Sequence, residues 1–170
     1  MRRHHPAGRA TLAVAALFLA GCGSVRHAAH YDTDFAAAKD MQIEVDSVVN
    51  VTGTSYEEDI VPLFRNALSK ELSDANLLWS ATGTTPHMVL STKIVEYEPG
   101  YSLKRWLIPG WGTALCTVHC ELKHSDMRTL LGSIDTRRTI SIGQFAGGRR
   151  VVENTAADVA GAIMQKIQEK

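Results

Sequence analysis

An excess of charge of one sign is what this 170-residue chain most clearly lacks: 18 Lys and Arg face 18 Asp and Glu. A nucleic-acid surface needs a clustered basic face, and this balance argues against one. Cysteine is scarce, with only Cys22, Cys116 and Cys120. Structural zinc takes four ligands, commonly from paired Cys-x₂₋₄-Cys units. Cys116, His119 and Cys120 fall short of that count, and a strand through them sends His119 away from both thiols. No Gly-Xaa-Ser-Xaa-Gly elbow is present, and Gly147-Gly148-Arg149-Arg150 lacks the Gly-Lys-Ser/Thr ending of a phosphate loop. Asp32 and Asp34 lack the glycine and terminal glutamate of an EF-hand loop. There is no internal repeat and no low-complexity tract. The apolar run Leu12 to Ala20 is far shorter than the roughly 20 residues of a spanning helix. No catalytic residue, cofactor or metal follows from these motifs, so the expectation is a protein that is not an enzyme.

What is present begins at the N-terminus. Arg2, Arg3 and Arg9 precede the apolar run, which closes on Leu19-Ala20-Gly21-Cys22. A basic start, a short apolar stretch and small residues at a cleavage point form a secretory signal. Leu-Ala-Gly-Cys resembles the lipobox of bacterial lipoproteins. That resemblance implies that residues 1–21 are removed and that Cys22 carries lipid. The mature 149 residues then hold 15 Lys and Arg against 18 Asp and Glu, because the three arginines leave with the signal. Cys116 and Cys120 lie four apart in one strand, about 13 Å between Cα atoms at ~3.3 Å per residue. That is too far for a disulfide, and both read as small buried thiols.

At 45% hydrophobic and 21% charged residues, the mature part can bury a core as one domain. Residues 22–40, small and polar after the cysteine, read as a flexible tether, although Tyr31 to Phe35 would also suit an early strand or a cap on the core. The domain proper spans 41–170. Ile43, Val45, Val49 and Val51 alternate with Glu44 and Asp46, which predicts a half-buried strand. Ile60, Leu63, Phe64, Ala67, Leu68 and Leu72 predict a helix face starting at Asp59, so that Pro62 falls in the first turn. Glu57 to Asp59 then complement its dipole. Leu77 to Ser80 reads as a short extended piece. Further strands are predicted from Met88 to Glu98, Ala114 to Lys123 and Leu130 to Ile142, with a bulge at Gly132. Gly143 to Gly148 reads as a loop, and a helix from Thr155 to Gln168 follows, capped by Asn154. The fold class is α+β: an antiparallel sheet of four to five strands with two helices on one face.

One connection departs from the polar norm of loops. Leu103-Lys104-Arg105-Trp106-Leu107-Ile108-Pro109-Gly110-Trp111-Gly112 joins two strands. Either the tryptophans cap an open end of the sheet, or the segment is displayed. Displayed, Trp106, Leu107, Ile108 and Trp111 suit a membrane interface or a partner hot spot, and Lys104 and Arg105 suit phosphate headgroups.

Several short stretches also carry a likeness. They are Tyr56-Glu57-Glu58-Asp59, the Leu-Ser-Asp-Ala-Asn-Leu-Leu ending at Leu78, Ile94-Val95-Glu96-Tyr97-Glu98-Pro99-Gly100, Arg105-Trp106-Leu107 and the closing amphipathic helix. Together they resemble the bacterial lipoprotein family carrying the domain of unknown function 4410. The turn His124-Ser125-Asp126-Met127 departs from the Asp- and Gly-rich hairpin expected there. The resemblance implies an envelope lipoprotein and carries over no catalytic residue. The expected function is that of an accessory or assembly subunit, lipid-anchored in the envelope and contacting a protein partner. Gly23 in place of the aspartate of an inner-membrane retention signal favours the periplasmic face of the outer membrane. The alternative is a periplasmic carrier for a lipid or another apolar ligand.

Overall fold

The computed structural model describes residues 24–32, 41–81, 87–100, 112–141 and 147–168. Its strands are β1 (Val25–Tyr31), β2 (Gln42–Asn50), β3 (His87–Glu98), β4 (Ala114–His124) and β5 (Leu130–Ile140). Helix α1 (Ile60–Asp74) joins β2 to β3, and α2 (Gly147–Gln168) closes the chain. The five strands form one sheet in the order β1-β5-β4-β3-β2. Both helices pack against each other; α1 lies on β2, and α2 on β4 and β5.

Strand β4 shows why the sheet is one-sided. Cys116, Val118, Cys120 and Leu122 are buried, while Thr117, His119, Glu121 and Lys123 alternate with them toward solvent. The buried set meets Phe64, Leu68 and Leu72 of α1 and Val152, Ala156 and Ile163 of α2 in one core. The sheet is mixed rather than purely antiparallel, because β2 and β3 run parallel. The cause is α1: a helix between two strands returns the chain to its starting end, so the next strand repeats the direction of the first.

Four local expectations change. Val25–Tyr31, assigned to the tether, pairs with Gly132 to Arg138 of β5 and adds a fifth strand. Helix α2 begins at Gly147 rather than Thr155, so Asn154 lies inside it and caps nothing. Its apolar stripe extends back through Val151 and Val152, both fully buried. The Thr155 hydroxyl donates to the Val151 carbonyl at 2.6 Å. In β2, a register shift between Val45 and Ser47 changes the phase of the alternation. Val48 is therefore buried, while Val49 and Val51 are exposed. A second shift between Ile94 and Glu96 of β3 turns Tyr97 inward in place of Glu96.

Other expectations hold. Asp59 caps α1 by accepting from the Val61 amide at 3.1 Å, with Pro62 in the first turn. Leu78 bridges Ile43 in parallel. The register shifts beside Gly132, where Leu122 pairs with Gly132 and Lys123 with Leu130. Gly132 faces Tyr31 in β1. A Cβ there would stand 2.5 Å from Tyr31 Cδ1 and 2.8 Å from the His30 carbonyl oxygen.

The two sheet edges differ. The outer edge of β2 is engaged by its own chain. Ile43 exchanges backbone bonds with Leu77 and Trp79 at 2.7 and 2.9 Å. The Arg65 guanidinium donates to the carbonyls of Val45 and Asp46 at 3.4 and 3.1 Å. The Asn50 side chain is tied into the following turn, donating to the Thr54 carbonyl. Outside β1, no strand is present among the described residues.

Leu68→Ala and Ile163→Ala should each lower the unfolding free energy by about 2–5 kcal/mol, read from urea titrations. Gly132→Ala should cost about 1–3 kcal/mol through overpacking, with faster amide exchange confined to Val25–Tyr31.

Candidate contact surface

Each candidate residue of the sequence lies outside the described residues: Cys22, and Lys104, Arg105, Trp106, Leu107, Ile108 and Trp111 of the β3–β4 connection. What the fold defines is where the chain leads to them. Val25 pairs with Arg138, Arg138 with Cys116, and Cys116 with Tyr97, so these four form one rung across the sheet. Beyond that rung the chain goes to Cys22 on one side and to residues 101–111 on the other. The side that leads to Cys22 and both ends of the tryptophan segment therefore share one end of the sheet.

That end is tightly held. The Ser24 amide donates to Thr139 Oγ1 at 3.2 Å, and the Thr139 amide donates back to the Ser24 carbonyl at 2.9 Å. Under the β3 end, the Tyr56 and Tyr97 rings meet edge to face at 4.7 Å. The Tyr56 hydroxyl donates to the Tyr97 carbonyl at 3.1 Å. Burial pushes the Tyr97 phenol up to about 12, with the Glu58 charge adding to it. The first turn of α2 closes over this pair. A Cβ on Gly148 would meet the Tyr97 hydroxyl at 2.7 Å and Pro99 Cβ at 3.1 Å. Gly100 and Gly112, which bracket residues 101–111, have φ of 66° and 71°, a region that glycine enters without steric cost. Arg149 links the two helix starts, bonding Glu153 at 2.9 Å and Glu58 at 3.4 Å.

The solvent face of the sheet is polar. His119 Nδ1 lies 2.7 Å from Asp135 Oδ1, and its Nε2 lies 3.7 Å from Glu121 Oε1. Glu121 also takes a 2.6 Å bond from Lys123. That bond, followed by the nearby Lys123, Lys93 and His119 charges, holds its carboxyl below the usual range against a smaller effect of burial. Arg137 and Thr117 converge on Glu96 at 3.7 and 3.0 Å. At the far end, His87 Nε2 lies 3.1 Å from Glu44 and its ring stacks on Trp79 at 4.3 Å. Such surface pairs contribute little stability each. Their effect is to keep this face wet. No group of three or more His, Cys, Asp or Glu that could hold a metal occurs among the described residues.

Cys116 and Cys120 are free and buried, and His119 turns from them to Asp135 as the strand phase requires. Burial raises both thiols to about 12, so neither is a thiolate at neutral pH. The convergence of the N-terminal side and the tryptophan segment escaped the sequence, because strand order decides it. The His119–Asp135 pair escaped for the same reason, since it crosses two strands 16 residues apart. Arg138 was also missed. From β5 it donates to both carboxylate oxygens of Asp158 on α2 at 2.8 Å, tying helix to sheet.

No family model matches the chain, that of the domain of unknown function 4410 included, and no curated protein matches it. Solved structures do. A point variant of the PelC dodecamer from Paraburkholderia phytofirmans superimposes with a TM-score of 0.57 at 20% identity. The alignment covers 81% of this chain and 93% of that one. The likeness is one of fold. The PelC dodecamer in another crystal form gives 0.55 at 21% identity, covering 81% and 96%. A crystal structure of an uncharacterized protein gives 0.50 at 12% identity, covering 75% and 91%.

In the native protein, Cys116 and Cys120 should resist alkylation by iodoacetamide at pH 7.5 and react within minutes once unfolded in urea. Mass spectrometry of both states checks this.

Proposed function

We propose that the mature chain is a non-enzymatic lipoprotein of the bacterial envelope, anchored through lipid on Cys22 and acting as an assembly subunit. The observation that carries this reading is Leu19-Ala20-Gly21-Cys22 at the close of a short apolar run behind three arginines. A signal that ends in this way exports the domain and leaves it held at a membrane surface by lipid rather than by a spanning helix. No helix among the described residues is long and apolar enough to cross a membrane, so the lipid supplies the attachment. Gly23 favours the periplasmic face of the outer membrane.

A role in assembly draws on two supports. PelC, whose fold this chain resembles, is described as a dodecamer, which supports an assembly of several copies. In addition, Lys104, Arg105, Trp106, Leu107, Ile108 and Trp111 make an apolar, basic connection of the kind used for contact. A carrier would need an enclosed apolar cavity. The larger described cavities, of ≈ 530 and ≈ 520 Å³, are grooves lined by mixed polar and small residues. One lies between β1 and α2, and the other between the two helices.

Cys22→Ser should abolish incorporation of radiolabelled palmitate and move the protein from the membrane to the soluble fraction of cells. Undiminished labelling in the variant would overturn the anchor.

A further inference from the structure

We propose that the domain stands end-on against the bilayer that holds its lipid, with the end marked by Ser24, Val25, Val51 and Val95 as the docking surface. The inference rests on the lipid anchor at Cys22 and adds to it an orientation and a contact. Its first support is reach. Ser24 is already bound into the sheet through Thr139. Only Gly23 separates it from Cys22, and two Cα steps extend at most about 7 Å. The 11 residues of β4 carry the opposite end about 33 Å further away at ~3.3 Å per residue. A domain on so short a link cannot be held off the surface.

The second support is what that end displays. Val51 is 52% exposed, Val25 42% and Val95 41%. Val25 lies at the β1 edge, whereas Val51 and Val95 adjoin on the far side of the sheet, where the Val51 amide bonds the Ile94 carbonyl. Val51 faces outward because of the register shift in β2, whereas Val95 stands outward in the ordinary alternation of β3, whose Met88, Leu90, Thr92 and Ile94 turn inward. Apolar side chains exposed near the end that the anchor reaches suit an interfacial lipid layer. Charge here is mixed: Arg137 pairs with Glu96, Arg26 stands in that same rung, and Glu98 lies two rungs nearer the end. The surface therefore fits a bilayer interface in general rather than an anionic headgroup. Lying on the β1 edge instead would press Arg26, His27 and His30 into the membrane. The exposed Met127 and Leu130 belong to the opposite end.

The test uses the lipidated full chain in vesicles of phosphatidylethanolamine and phosphatidylglycerol. A fluorophore is attached to Val51→Cys or, separately, to Met127→Cys, both exposed positions; the buried native thiols leave the label selective. A phospholipid with a nitroxide near its headgroup serves as quencher, and flotation reads the anchoring. End-on docking predicts several-fold stronger quenching at 51 than at 127. Equal quenching at the two positions, or none at 51 in protein that floats, overturns the docking while the anchor stands. Loss of flotation overturns the anchor and the docking with it.

Discussion

One-sided burial of the central strand is the constraint on which the rest of this structure depends. β4 sits in the middle of the sheet, and its inward side chains are completely covered. Covering one face of a sheet takes a layer of helices, and α1 and α2 together supply it. Because that layer is shared, each helix must also fit the other. Arg138 to Asp158 ties α2 to β5, and Arg149 to Glu58 draws the start of α2 toward the start of α1. The opposite face needs no cover, since its residues carry charges that pair among themselves in water.

Strands β3, β4 and β5 and helix α1 were legible because their patterns are local. Alternation through Cys116, Val118, Cys120 and Leu122, and the helical spacing of Ile60, Phe64, Leu68 and Leu72, depend on nothing elsewhere in the chain. β1 was not legible. Val25-Arg26-His27-Ala28-Ala29-His30-Tyr31 buries almost nothing, so no periodicity marks it, and it is a strand because β5 offers it an edge. The parallel pairing of β2 and β3 follows from the crossover through α1 rather than from either strand alone. Phase errors had a separate cause. A bulge adds one residue without any compositional mark, so Val49 and Val51 read as core and are not. At α2 the two glycines at 147 and 148 read as a break. The space beneath Gly148 is filled by Tyr97 and Pro99, which is a reason for glycine that only the fold reveals.

Of the candidate site, the residue types were legible and their meeting was not. Leu19-Ala20-Gly21-Cys22 and the tryptophan segment lie some 80 residues apart in sequence. Strand order and direction bring the routes to both onto one end of the domain. The tyrosine pair beneath that end and the glycines on either side of residues 101–111 belong to the packed frame of the domain. The buried thiols, by contrast, belong to the core, and their chemistry is suppressed by the packing that makes them useful there.

The unequal treatment of the two sheet edges limits how copies of this chain can be joined. β2 is stoppered along its length by Leu77–Trp79, by the Arg65 guanidinium and by its own turn, in the manner by which proteins discourage strand addition. β1 carries no such stopper among the described residues. A ring whose copies were stitched into one continuous sheet would need two receptive edges per copy, one to give and one to take. With β2 stoppered, no copy can both give and take an edge, so stitching cannot run round a ring. Any closed assembly of higher order must therefore be built from side-chain surfaces, with each sheet remaining a separate, finite plate.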